Sequence, residues 1–370
     1  MSENKDLKLT VASSPHVNSP VNTRNLMLDV LISLIPALCF GVFFFGPRAL
    51  LLTAVSVAGC EFFEWAYRKL LKKPATNGDL SAAVTGVLLA FVCPVALPYW
   101  TVLIGDFFAM VVVKQLFGGL GKNFINPALG GRAFLMLSYP ILMTTWVKPG
   151  IENWMGITTK AADMVSSATP MATMHGSSVA ASIVPWLATG EGVQTPGLAD
   201  LFLGNVGGCI GEVSALALLA GGLYLIFRGV INPRIPVAYI GTVAVLTLIF
   251  VRGPVPEGAN VLLYHIQWMA SQLFGGGLFL GAFFMATDYV TSPVTSKGEW
   301  IFGLGCGLLT VFIRYFGGYP EGVSYAILLM NLTVWIIDQH CRPARFGVSK
   351  EAKKAAKEAA KAAKKGGDAA

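Results

Sequence analysis

Charge is scarce in this chain: only 13% of its residues are charged, while 54% are hydrophobic and the mean hydropathy is +0.63. A soluble domain carries about 25% charged residues because its surface must be solvated. A chain with half that fraction has too little polar surface to face water, so its solvent is lipid. Histidine is also rare. His16, His175, His265 and His340 are too far apart in sequence to read as a metal site. None of the six cysteines forms a C-x-x-C pair, which leaves no iron–sulfur or zinc pattern, and their apolar settings read as small buried hydrophobes. No dinucleotide fingerprint is present, so the chain does not bind NAD by itself. A cleavable signal is not expected either: the first apolar run begins near Leu26 after a long polar stretch and continues at spanning length.

What is present is a succession of apolar segments. A span needs roughly 20 mostly apolar residues, and on that rule about ten segments qualify: 26–46, 49–67, 80–98, 99–117, 128–146, 200–227, 235–251, 264–287, 300–316 and 323–339. Pro94 and Pro98 interrupt the third and fourth, and the Gly-rich sixth and eighth read as discontinuous. The fold class expected is therefore all-α, a polytopic membrane protein of about ten transmembrane helices. Halves 26–146 and 200–341 would hold five spans each, and an odd number per half would make them inverted repeats. No convincing residue match between the halves supports that symmetry.

The net charge of +7 could suggest nucleic acid, but its placement argues for a membrane orientation. With the N-terminal segment 1–25 inside, 22 of the 27 Lys and Arg residues fall on the inner side, including the Lys/Ala-rich tail 342–370. Five remain outside: Arg48, Lys148, Lys160, Arg252 and Arg314. This is the positive-inside pattern. Both termini are expected to be cytoplasmic and segment 147–199 extracytoplasmic, in a bacterial inner membrane.

That segment is much longer than the other connections, and loops beyond about 12–15 residues are usually functional or disordered. Trp146, Trp154 and Trp186 punctuate it as interfacial aromatics would, and Val179–Leu187 could form a re-entrant or surface helix. Within it runs Asp163-Met164-Val165-Ser166-Ser167-Ala168-Thr169-Pro170. The proline biases Thr169 away from helix, which suggests a hydroxyl on an accessible, extended stretch. Composition alone favours an ordinary polar loop.

The stretch Asp163 to Thr169 resembles the flavinylation motif D-x-x-[S/T]-G-A-T, with Ser167 standing where that motif usually has glycine. The wider chain resembles the RnfD family, membrane components of Rnf ion-translocating oxidoreductases, and more distantly NqrB of the sodium-translocating NADH:quinone reductase. The similarity is carried by Ser14-Pro15-His16, Asp79–Pro94, Phe117–Phe134 (FGGLGKNFINPALGGRAF), Asp200–Leu223 with Gly211-Glu212-Val213-Ser214, and Phe284–Thr295 (FMATDYVTSPVT). It implies FMN joined through its phosphate to Thr169, with Asp163, Ser166, Ser167 and Ala168 completing the site. A flavin transferase would supply the catalytic base, so the chain contributes only the acceptor. The resemblance also allows a second, non-covalent riboflavin in a membrane pocket, placed near no particular residue.

The same resemblance implies a subunit that is inactive alone. With the other Rnf subunits, electrons would pass between ferredoxin and NAD, coupled to Na+ or H+ movement. Acidic residues in spans are functional candidates by default. Asp29, Glu212 and Asp288 are the ion-pathway candidates, with satisfaction of broken helix ends as the competing role and Arg132 a potential neutraliser of one of them. Glu61, Glu64 and Asp338 read as solvated, or as paired with Arg68 or Arg342. For 118–131, the Asn123-Phe124-Ile125-Asn126-Pro127 run breaks any helix and points to a lined cavity. Two alternatives stand beside this reading: the NqrB component of the quinone reductase, and a redox-inactive channel or transporter built from five-span repeats.

Overall fold

A computed structural model describes residues 22–74, 76–149, 169–172, 174, 197–251 and 260–341. Asp163, Ser166, Ser167, Ala168, Trp154, Trp186, the Val179–Leu187 run and the lysine tail lie outside the described residues. Among those described, the structure is helical and contains no strand, only one isolated antiparallel bridge between Pro94 and Cys209.

The order is α1 Thr23–Phe45, α2 Pro47–Leu70, α3 Ser81–Phe91, and α4 Tyr99–Phe107, which runs on as a π-helix over Phe108–Gln115. Then come α5 Pro127–Ser138, the short α6 Leu198–Leu203, α7 Ala215–Phe227, α8 Arg234–Ile249 and α9 Val261–Phe274. One turn, α10 Leu278–Leu280, leads into a second π-helical stretch, Gly281–Met285. Two long helices, α11 Ser296–Phe316 and α12 Val323–His340, close the described chain.

Three of these, α1, α2 and α11, are long and apolar enough to cross a bilayer; α9 with α10 and its π extension makes a fourth if the pair, bent by 59°, counts as one span. Their outer surfaces and those of their neighbours carry large exposed apolar side chains, among them Phe227, Leu262, Phe316 and Trp335. Such a surface is unfavourable in water and natural in lipid.

Besides the bent eighth segment, two others expected as spans, the third and the sixth, break against each other. In the third, the helix stops at Phe91, and its 11 residues rise only about 16 Å, half of a hydrocarbon core of about 30 Å. In the sixth, α6 and α7 are separated by irregular chain from Gly204 to Ser214. The proline and glycine residues explain both interruptions, but pairing between the broken ends makes them stable. Past α3, Phe91 O accepts from Gly211 N at 2.9 Å and Cys93 O from Ile210 N at 3.2 Å, while the Cys209 thiol donates to Val92 O at 3.2 Å. Helix carbonyls that lipid would leave orphaned are thus paired inside the protein, the condition under which irregular backbone is tolerated at membrane depth. Position 211 requires glycine because a Cβ there would collide with the Phe91 side chain. Ser214 then caps α7, its hydroxyl accepting from Ala217 N.

Nearly every residue of α3 is buried, as expected for a helix apolar on all sides. The long helices enclose it. In the second half, α8 meets α11 through Gly303 and Gly307, where an added Cβ would lie 2.6 Å from Ala238 Cβ and Thr242 Cβ respectively. This small-x-x-x-small seam brings backbones together in the absence of a hydrophobic driving force between helices.

Candidate functional site

Helix α5 organises two cavities. Asn126 starts it: its side-chain oxygen accepts from Ala128 N and Leu129 N, and Pro127 occupies the first helical position, where its missing N–H costs nothing. The Asn126 amide nitrogen also donates to Met285 O at 3.2 Å, tying the start of α5 to the end of the second π-helix. Around this junction lies a cavity whose walls include Ser81, Lys114, Asn123, Asn126, Phe283, Phe284, Thr287 and Asp288. The lined cavity expected around 118–131 is therefore present.

Six residues along the same helix, a rise of about 9 Å, Arg132 enters a second site. Its guanidinium donates to Ser324 Oγ at 2.9 Å and to Glu212 Oε1 at 3.3 Å, and it pairs with Glu321. The donor atoms of Cys209, Glu212 and Glu321 lie within 4.8 Å of one another, spacing that could suit a metal ion. Arg132 contacts all three, so a cation is already supplied by the protein. One guanidinium faces two carboxylates, and the hydrogen bonds it donates to both offset part of the cost of burying them.

Thr169 lies beside that cluster. It is 4% exposed, and its Oγ1 accepts from Ala172 N at 3.1 Å, capping the helical residues that follow. The expectation of an accessible hydroxyl is thus corrected. Proline does hold position 169 out of the helix, but the N-cap role turns the side chain inward. Two spaces flank it. One is walled by Arg132, Trp146, Tyr319, Ser324 and Tyr325; the other, smaller, by Gly208, Glu212, Phe274, Gly275 and Gly276. Glu321 borders both. Trp146, expected as an interfacial aromatic, is instead buried in this wall.

A row of aromatic rings joins the two regions. Phe274, beside Thr169, stacks with Phe279 at 6.1 Å between centroids, and Phe279 stacks with Phe283 of the larger cavity at 6.1 Å.

The three membrane acids separate. Glu212 joins the Thr169 region, where Arg132 neutralises it. Asp288 borders the larger cavity and accepts from Thr291 Oγ1 and Val290 N in its own turn. Asp29 sits between α1 and α7, accepting from Tyr224 Oη at 3.0 Å and pairing with Arg228. Glu64 pairs with Arg68, as one of its two expected readings had it, but it is not solvated. It is buried, with Lys114 at 3.1 Å, Gln115 at 2.8 Å and Thr76 at 2.7 Å, whereas Arg68 is 3.7 Å away. The π-helical turn that carries Lys114 and Gln115 aims both at Glu64, a geometry that hydropathy does not reveal. Asp338 accepts from Val294 N.

Sequence reasoning missed two arginines. Arg48 and Arg314 counted only as outer-side charges, yet both are buried against helix breaks. Arg48 donates to Val95 O and Leu97 O, and Arg314 to the carbonyls of Gln272, Gly275, Gly276 and Glu321. Their position at the ends of long apolar runs, opposite a Pro- or Gly-rich break elsewhere, is the signal that could have found them.

Residues 10–347 match the family described as NQR2, RnfD, RnfE. The chain belongs to that family. The D component of a Na(+)-translocating ferredoxin:NAD(+) oxidoreductase complex from Acetobacterium woodii is 45% identical over 352 residues, covering 95% of this chain and 99% of the relative. The D component of a proton-translocating ferredoxin:NAD(+) oxidoreductase complex from Clostridium ljungdahlii is 41% identical, covering 92% and 97%. The D component of an ion-translocating oxidoreductase complex from Actinobacillus succinogenes is 36% identical, covering 91% and 96%. All three relatives are named as components of ion-translocating oxidoreductase complexes.

Proposed function

We propose that this chain is the flavin-carrying membrane subunit of an Rnf-type complex that couples electron transfer between ferredoxin and NAD to Na+ or H+ movement. FMN is held by a phosphoester to Thr169 and relays electrons at the extracytoplasmic side. The observation that carries the reading is the position of the motif threonine, between two cavities and beside a buried guanidinium.

The residues present suit such a group. Trp146, Tyr319 and Tyr325 offer aromatic walls for a planar ring system. Arg132 supplies positive charge near a hydroxyl that would carry a phosphodiester, and its ties to Glu212 and Glu321 fix its orientation. The flavin, when bound, supplies the redox chemistry; the protein contributes position and electrostatics. Because Thr169 is buried, its modification by the transferase precedes the final packing of this segment.

The larger cavity is assigned to the second flavin, a non-covalent riboflavin. Asn123, Asn126 and Lys114 can hydrogen-bond a polar ring edge there, and Phe283 and Phe284 can pack its face. The stacked Phe274, Phe279 and Phe283 lie between the two sites. In the membrane, the chain makes about ten crossings, some of them as paired half-helices, with both termini cytoplasmic and 147–199 outside. Lipid, the other Rnf subunits and the transferase are its partners. Relatives named for sodium and for protons are similar to it at 45% and 41% identity, so overall similarity does not choose the ion.

The test is in-gel ultraviolet fluorescence and intact mass of the chain produced with an active transferase. The wild-type chain should carry one FMN adduct. A Thr169→Ala variant should insert normally and carry none; fluorescence that persists in that variant refutes the site, and a bare wild-type chain refutes the redox assignment.

A further inference from the structure

Asp106 takes no part in either cavity, yet its surroundings are unusual for a carboxyl group. It lies in α4, is completely buried, and faces α2 and α3. Its Oδ1 is 2.7 Å from Ser56 Oγ and 3.4 Å from Cys60 Sγ. Its Oδ2 has no hydrogen-bond partner. That oxygen rests against Gly59, where an added Cβ would lie 2.6 Å away.

Hydrogen counting separates the two protonation states. The Ser56 hydroxyl has one hydrogen, but its oxygen lies within hydrogen-bond distance of two acceptors, Asp106 Oδ1 and Gly86 O, the latter at 2.9 Å. If Ser56 donates to Gly86, the short contact to Asp106 needs a hydrogen from Asp106 itself. Both contacts are then satisfied in one chain, from the Asp106 O–H to Ser56 Oγ and from the Ser56 O–H to the Gly86 carbonyl. An ionised Asp106 would compete with the Gly86 carbonyl for the single Ser56 hydrogen and would leave Oδ2 a buried, charged oxygen with no donor.

Among the described residues, no cation pairs with Asp106. Titratable neighbours on the packed elements are the thiols of Cys60 on α2 and Cys93 beyond α3. Farther along the same helix, Lys114 is engaged by Glu64 and Ser81. On α5, Arg132 is engaged by Glu212 and Glu321.

We propose that Asp106 is a proton-binding site within the membrane-embedded first half, held as a neutral carboxylic acid by the Ser56–Gly86 acceptor chain. Its ligand is the proton itself, since among the described residues Asp106 joins no cluster of ligand atoms that could hold a metal cation. This inference stands independently of the flavin assignment.

The experiment is carbon-13 NMR of the full chain in lipid at neutral pH, labelled at the aspartate side-chain carboxyls. The resonance that disappears in Asp106→Asn should have the chemical shift of a neutral acid and should keep it as the bulk pH is raised through the range where exposed carboxyls are ionised. Ser56→Ala should move that resonance, whereas Ser33→Ala, which removes a hydroxyl bonded within α1 to Val30 O, should not. The asparagine amide can donate to Ser56 as the acid does, so Asp106→Asn should fold like the wild type. A carboxylate shift for the missing resonance, or one unmoved by Ser56→Ala, overturns the proposal.

Discussion

The two main helix breaks solve the same problem by different means. Past α3, the freed carbonyls are met chiefly by backbone N–H groups of the broken segment before α7, with Arg48 serving Val95 and Leu97 in support. Between α9 and α10, the carbonyls of Gln272, Gly275 and Gly276 converge on the single guanidinium of Arg314, which also holds Glu321 O. The first break is a distributed joint between the two halves of the chain; the second hangs on one side chain. It also borders Thr169, because Gly275 and Gly276 line the smaller space there. The break that depends on one residue is thus the one next to the motif threonine.

Substitutions can test that contrast. Arg314→Met should have the largest effect: each buried carbonyl left unpaired costs about 1–3 kcal/mol, and four lose their donor. Thermal unfolding of the purified chain should show severe destabilisation. Next in size is Gly211→Ala, which forces a methyl group into Phe91 and should cost about 3 kcal/mol, the upper end of ordinary overpacking. Its readout is the same melt, together with faster hydrogen exchange at the amides of Ile210 and Gly211. Arg48→Met should be mildest, about 1–2 kcal/mol, because the backbone pairs past α3 remain. A melt in which Arg48→Met is as damaging as Arg314→Met would abolish the distinction between a distributed and a single-residue joint.

The same contrast explains how far the sequence could be read. Apolar runs located α1, α2 and α11 with little error, because length and hydropathy are properties of the chain itself. Gly and Pro marked where helices stop, and the discontinuities in the sixth and eighth segments were legible from them. What those residues could not reveal was the partner of each broken end. Arg48 and Arg314 look like loop charges in sequence, since no local pattern tells a buried arginine that caps a distant break from one at the membrane surface. Arg132 was foreseeable as a neutraliser because it lies in a Gly-rich segment with acids in other apolar runs. Its choice of Glu212 and Glu321 over Asp29 or Asp288 was not.

Thr169 shows the division most clearly. The motif around it, the proline after it and the length of its segment are written in the chain, and they single out one hydroxyl. Its burial and its place beside Arg132 were not, because they depend on α5, α12 and the break after α9 meeting around it. Hydropathy and residue order fixed a lipid-embedded helical chain and its family. Only tertiary packing decided which charges are matched, since hydrogen-bond pairing across hundreds of residues depends on angle and distance, which composition does not encode.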